Sequence, residues 1–114
     1  SAKTKFDIQD LSADVTAAVS RLRPVSFRYK QPFADGSTPV QYGLIAEEVE
    51  QVLPDLVAYD ENGDPATVKY HVLPSLLLAE VQRLQSALRA ESSRTAALEA
   101  AVAELRATLA ARER

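Results

Sequence analysis

Several groups of side chains in this sequence have types and spacing that could do chemistry. Glu47, Glu48 and Glu50 set carboxylates close together, the raw material of general acid–base work. They follow a strand-like run into a helix start, where acids compensate the helix dipole, so that role and solvation account for them. Asp60, Glu61 and Asp64 gather around Gly63, but the run lacks the length and terminal glutamate of a calcium loop and reads as a turn. His71, the single histidine, sits where a strand meets a helix and reads as a structural side chain. One histidine argues against a histidine-based metal site. Ser1 is followed by Lys3 and Lys5. A serine hydroxyl is a poor nucleophile without a base, and a lysine serves as base only if burial lowers its pKa. Taken alone, these residues read as a chain boundary and solvated lysines.

The bulk composition narrows the function classes. The 114 residues suffice for one domain, and the formal net charge of -3 offers no basic field to nucleic acid. Phe27, Tyr29, Tyr42 and Tyr70 are accordingly expected in the core or in packing between chains rather than on a base-stacking surface. The absence of cysteine excludes a disulfide frame and thiol chemistry. No apolar run approaches the ~20 residues of a membrane span, and no signal peptide opens the chain. No metal, cofactor or small-molecule ligand is expected. A first residue of serine rather than methionine predicts a chain cut from a larger one.

Two physical regimes share the chain. All 4 Tyr, 3 Phe, 3 Gly and 6 Pro lie at or before Pro74, and the 40 residues from Ser75 contain none. The division predicts a compact α+β head over residues 1–72 and a helix over 73–114. In the head, Asp10 to Asp14 offers caps for a helix over 13–22, with Val15, Ala18, Val19 and Leu22 on its apolar face. Pro24 ends it. Val25 to Lys30 alternates as a half-buried strand, 32–39 is a loop, and Val40 to Ile45 is a second strand interrupted by Gly43. Residues 46–53 read as a short helix stopped by Pro54. Leu56 to Tyr59 and Ala66 to Tyr70 read as two strands around the acidic turn. Pro74 fits the first turn of the last helix, where no amide donor is needed.

That helix carries heptads. With Val81 as position a, the a series is Val81, Leu88, Thr95, Val102 and Leu109. The d series is Leu77, Leu84, Glu91, Leu98, Leu105 and Arg112. The regular 3-4 spacing predicts a coiled coil with copies of the same chain, since nothing else in so small a chain could bury the stripe. Arg94 at g and Glu99 at the next e favour parallel helices. Glu91 and Thr95 form a polar central layer, read as a solvated defect or as a device for register. The a and d residues do not choose between two and three strands.

Four segments in order resemble a known family. They are Leu22-Arg23-Pro24-Val25-Ser26-Phe27-Arg28-Tyr29-Lys30, Tyr42-Gly43-Leu44-Ile45-Ala46-Glu47-Glu48-Val49, Pro54-Asp55-Leu56-Val57, and Val68-Lys69-Tyr70 leading to Leu73-Pro74-Ser75-Leu76-Leu77. The family is the C-terminal intramolecular chaperone domain, or peptidase S74 domain, of phage tail spikes, tail fibres and related surface proteins. The resemblance covers about residues 1–85. It implies a domain that trimerises, holds the preceding parts of its own precursor in register, and then releases itself by serine-dependent autoproteolysis. Its partners would be two further copies of itself and that precursor. Its setting would be a virion fibre or spike precursor in the host cytoplasm, or a bacterial cell surface. Long intertwined β-structures fold slowly, and tethering raises effective concentration, so the logic is physical.

The resemblance also implies a serine nucleophile and a lysine base. The Thr4-Lys5-Phe6-Asp7-Ile8 stretch is most similar to the family's lysine segment, which assigns Lys5 as base and Ser1 as nucleophile on the carbonyl before it. The family's serine-to-lysine spacing is usually five, and here it is four. Either this member is one residue shorter, or the nucleophile stands just before Ser1. Two other readings stay open: an oligomerisation module without proteolysis, and a helical adaptor for a different protein.

Overall fold

A computed structural model describes all 114 residues. Its architecture is α+β, with short helices and strands followed by one long C-terminal helix. The chain divides into two compact units, Ser1–Glu80 and Val81–Arg114.

In the first unit, α1 spans Ala13–Val19, capped by Ser12, whose hydroxyl accepts from the Val15 amide. The helix is shorter than the expected 13–22. Arg21 and Leu22 donate to Ala18 and Val19, three residues back, so the last turn tightens ahead of Pro24. Ala18 and Val19 are buried, as the apolar spacing predicts, and Thr16 is buried with them. Its hydroxyl donates to the Ala13 carbonyl, which satisfies it inside the helix.

Strand β1 (Val25–Phe27) pairs antiparallel with β2 (Gln41–Gly43), Val25 opposite Gly43 and Phe27 opposite Gln41. Both strands are shorter than expected, for one reason. In this register Pro24 stands at one end of the ladder, and Pro39 would face Tyr29 at the other. Neither proline has an amide to donate, so the ladder stops at both. Beyond Phe27 the chain is ordered by rings instead. Phe27 and Tyr29 meet edge to face at 5.2 Å, and Tyr29 lies 6.3 Å from Phe33.

Helix α2 covers Ala46–Val52 and ends at Leu53, before Pro54. Strands β3 (Val57–Tyr59) and β4 (Pro65–Val68) form a second antiparallel pair, with a bulge between Ala58 and Tyr59. The acidic segment between them is a turn. The Asp60 carboxylate accepts from the Asn62 and Asp64 amides, and Gly63 takes the positive φ. The core joins Val19 of α1, Ala46 and Val49 of α2, Leu56, Val57 of β3, Val68 of β4 and Leu76. Val49, at 2% exposure, is its centre.

Helix α3 runs from Leu73 to Arg112, with Pro74 in its first turn as expected. Its 40 residues would extend roughly 60 Å at 1.5 Å each. Leu76 and Glu80 are its buried residues. The large apolar a and d side chains are all exposed, from Val102 at 46% to Leu88 at 70%. No helix is long and apolar enough to cross a membrane.

Candidate functional site

The four sequence segments that resemble the family are distant in the chain but adjoin in the fold. The first and second share the β1–β2 ladder. A two-point ion pair clamps them again: Arg23 Nε and Nη2 donate to the Glu48 carboxylate oxygens at 2.8 and 2.7 Å. Both side chains stay largely in water, so the pair orients more than it stabilises. The hydrogen bond from Arg23 holds the Glu48 carboxyl below its ordinary 4.5, and Arg23 is raised in return. The third and fourth segments meet where the Lys69 amide donates to the Leu56 carbonyl at 2.7 Å.

The second and fourth segments meet at Tyr70. The Leu44 amide donates to its hydroxyl at 3.0 Å. The hydroxyl passes so close to Gly43 that a Cβ there would lie 2.6 Å from it. Gly43, which looks like a flaw in a strand, is the position that lets Tyr70 reach the β2 backbone.

The glutamates of α2 are not a catalytic set. Glu48 serves Arg23, and Glu50 accepts a hydrogen bond from Tyr59, which raises the phenol above its ordinary 10.0. Glu47 is exposed at the helix start. Sequence reasoning assigned these acids to dipole and solvent and missed both partners. The available signal was that Arg23 and Glu48 fall in two segments of the same family pattern. No group of three or more His, Cys, Asp or Glu side chains could hold a metal ion. His71 lies exposed in the single turn Tyr70–Val72 that leads into α3. Of the aromatic residues, Phe27 is half-buried, while Tyr29, Tyr42 and Tyr70 are exposed, Tyr42 at 82%.

Ser1 and Lys5 lie on one short helical turn. Ala2–Thr4 forms a 3-10 turn because the Thr4 amide and hydroxyl both donate to the Ser1 carbonyl, at 3.3 and 3.1 Å. Wrapping the chain once brings Lys5 back over Ser1, and its Nζ donates to the same carbonyl at 3.2 Å. The Ser1 hydroxyl accepts from the Lys3 amide at 3.2 Å. Lys5 also holds the Ser1 α-ammonium below its ordinary 8.0 by its side-chain hydrogen bond, with desolvation adding to the effect. The structure thus brings the amine of Lys5 to the main chain of Ser1, and both residues are exposed in the single chain. Lys3 contributes its backbone amide to the turn.

No curated protein matches the chain. The family model described as chaperone of endosialidase, Peptidase_S74, matches residues 1–58, a span that holds the Ser1–Lys5 turn, the β1–β2 ladder, the Arg23–Glu48 pair and α2. The chain therefore belongs to the Peptidase_S74 family, the chaperones of endosialidase.

Proposed function

We propose that this chain is an intramolecular chaperone that holds copies of a fibre or spike precursor in register and then cuts itself free before Ser1. Family membership supports the chaperone role. The observation that carries the cutting chemistry is Lys5 Nζ within 3.2 Å of the carbonyl of Ser1, the residue whose hydroxyl it would serve.

The head, residues 1–72, positions the cut, and the helix, residues 73–114, gathers the copies. In a parallel trimer the exposed stripe from Leu77 to Leu109 becomes the buried seam. Lys5, once desolvated, takes the proton from the Ser1 hydroxyl. The oxygen attacks the carbonyl of the preceding residue, and a C–O bond forms. The C–N bond then breaks, and the proton passes to the departing nitrogen, which becomes the Ser1 α-amine. Lys5 Nζ already reaches the Ser1 main chain at its carbonyl, so one amine can both accept the proton and return it. Water hydrolyses the ester, leaving a carboxylate on the released precursor. Separation after folding makes the assembly kinetically trapped. The setting is a virion fibre or spike precursor in a host cytoplasm, or a bacterial cell surface.

The test is to express the domain behind the residues encoded upstream of it and to weigh the products. A cut immediately before Ser1, lost in Ser1→Ala, Lys5→Ala and Lys5→Arg, is expected. Arginine keeps the charge but cannot act as the base. An intact wild-type precursor refutes the self-cutting reading. If that intact chain still has the mass of an oligomer, a non-proteolytic oligomerisation module replaces it, supported by the same exposed stripe.

A further inference from the structure

The first unit carries an open groove of about 650 Å³ between α1, the β1–β2 ladder and the start of α3, lined by Leu22, Val25, Tyr42, Tyr70, Leu73 and Leu77 among others. That volume falls in the range that encloses a drug-sized apolar ligand, and no charged side chain lines the groove. The same unit exposes an apolar segment that nothing covers. The arm before α1 leaves Phe6 93% and Ile8 68% exposed, between Lys5, Asp7 and Gln9. Asp7 between them takes a positive φ of 57°, so the apolar pair flanks a local bend of the arm.

We propose that the groove receives the N-terminal arm of a second copy of this chain, with Phe6 and Ile8 as the seated side chains. This rests on the coiled-coil reading of α3. The arm does not fill its own groove, as the exposure of Phe6 records. Its shape is set locally, by the turn at Ser1–Lys5 and by Gln9 Nε2 donating to Asp7 at 2.7 Å. Leu77 both lines the groove and is the first d position of the heptads, so a copy packed in parallel against Leu77 lies beside the groove, and it carries its own arm. Tethering supplies that arm at millimolar effective concentration, far above any stray partner.

The absence of cysteine makes the test clean. A Gln9→Cys chain and a Ser26→Cys chain, both with Phe6 intact, are co-expressed with different tags and oxidised. Gln9 adjoins the seated residues, and Ser26 lines the groove. The expected product is a disulfide between one chain of each kind, lost when Phe6→Asp is added to the first. In a Gln9→Cys, Ser26→Cys double variant the bond should join chains rather than close within one. A bond confined to single chains overturns the proposal in favour of the chain's own arm. An oligomer by light scattering that forms no mixed disulfide overturns it and leaves the coiled coil standing. A monomer by light scattering overturns both.

Discussion

Replacing Gly43 by alanine forces a decision on a single contact. The added Cβ would lie 2.6 Å from the Tyr70 hydroxyl, 3.4 Å from Phe27 Cε1 and 3.5 Å from Tyr70 Cζ. The last two are ordinary contacts, so the strain falls on the hydroxyl alone. Retreating to 3.4 Å moves it by about 0.8 Å and breaks its 3.0 Å bond from the Leu44 amide. That bond is worth about 0.5–1.5 kcal/mol, and displacing the ring adds to the loss. Gly43 has no positive φ, so alanine suits the backbone and returns about 0.4–1 kcal/mol through the unfolded chain. In a Tyr70→Phe background the obstructing atom is gone, and Gly43→Ala should be neutral or mildly stabilising. The two substitutions should therefore couple by about 1–2 kcal/mol, or roughly 4–8 °C in Tm for each kcal/mol in a domain of this size. Near-UV circular dichroism of tyrosine is the appropriate probe. All 4 tyrosines lie at or before Tyr70, whereas α3 dominates the helical signal. Protein concentration is held fixed, because association would move the midpoint. Additivity within about 0.5 kcal/mol would refute the assignment of Gly43 to the approach of Tyr70.

Two further outcomes follow from named groups. The Glu48 carboxyl is held below 4.5 in the folded chain, so its contribution is complete above that value and fades as pH falls through the lowered one. Glu48→Gln should lower the unfolding midpoint at pH 7 and leave it unchanged near pH 2, and an equal loss at both would show that Arg23 is not the cause. Glu91→Leu with Thr95→Ile should raise the melting temperature of the helical signal, since each side chain fully buried in the seam contributes about 1.5–3 kcal/mol. An unchanged or lower value would refute the assigned heptad register.

Much of the fold is legible along the chain. The Ser12 cap, the buried face at Ala18 and Val19, the Asp60–Gly63 turn and the start of α3 at Leu73-Pro74 all depend on residues within one or two turns of each other. The strand ends were misread because a ladder ends on what its partner lacks. Val25 to Lys30 alternates well, yet it pairs only to Phe27, since Pro39 comes opposite Tyr29. The site is legible in part. The types of Ser1 and Lys5 are visible, but only the 3-10 turn brings the amine to the Ser1 main chain.

The amino-acid order by itself determined the long C-terminal helix and its apolar stripe, because a heptad repeats within a few residues and needs no distant partner. It also determined the aromatic-rich, proline-punctuated character of the head. Only the tertiary structure decided that Arg23 clamps Glu48, that Tyr70 rests on Gly43 and that Leu22, Tyr42 and Leu77 border one groove. The Arg23–Glu48 pair spans 25 positions, and the Leu44–Tyr70 bond beside Gly43 spans 26. Each exists only once the core around Val49 has closed the intervening loops, and no local pattern encodes which distant residue arrives.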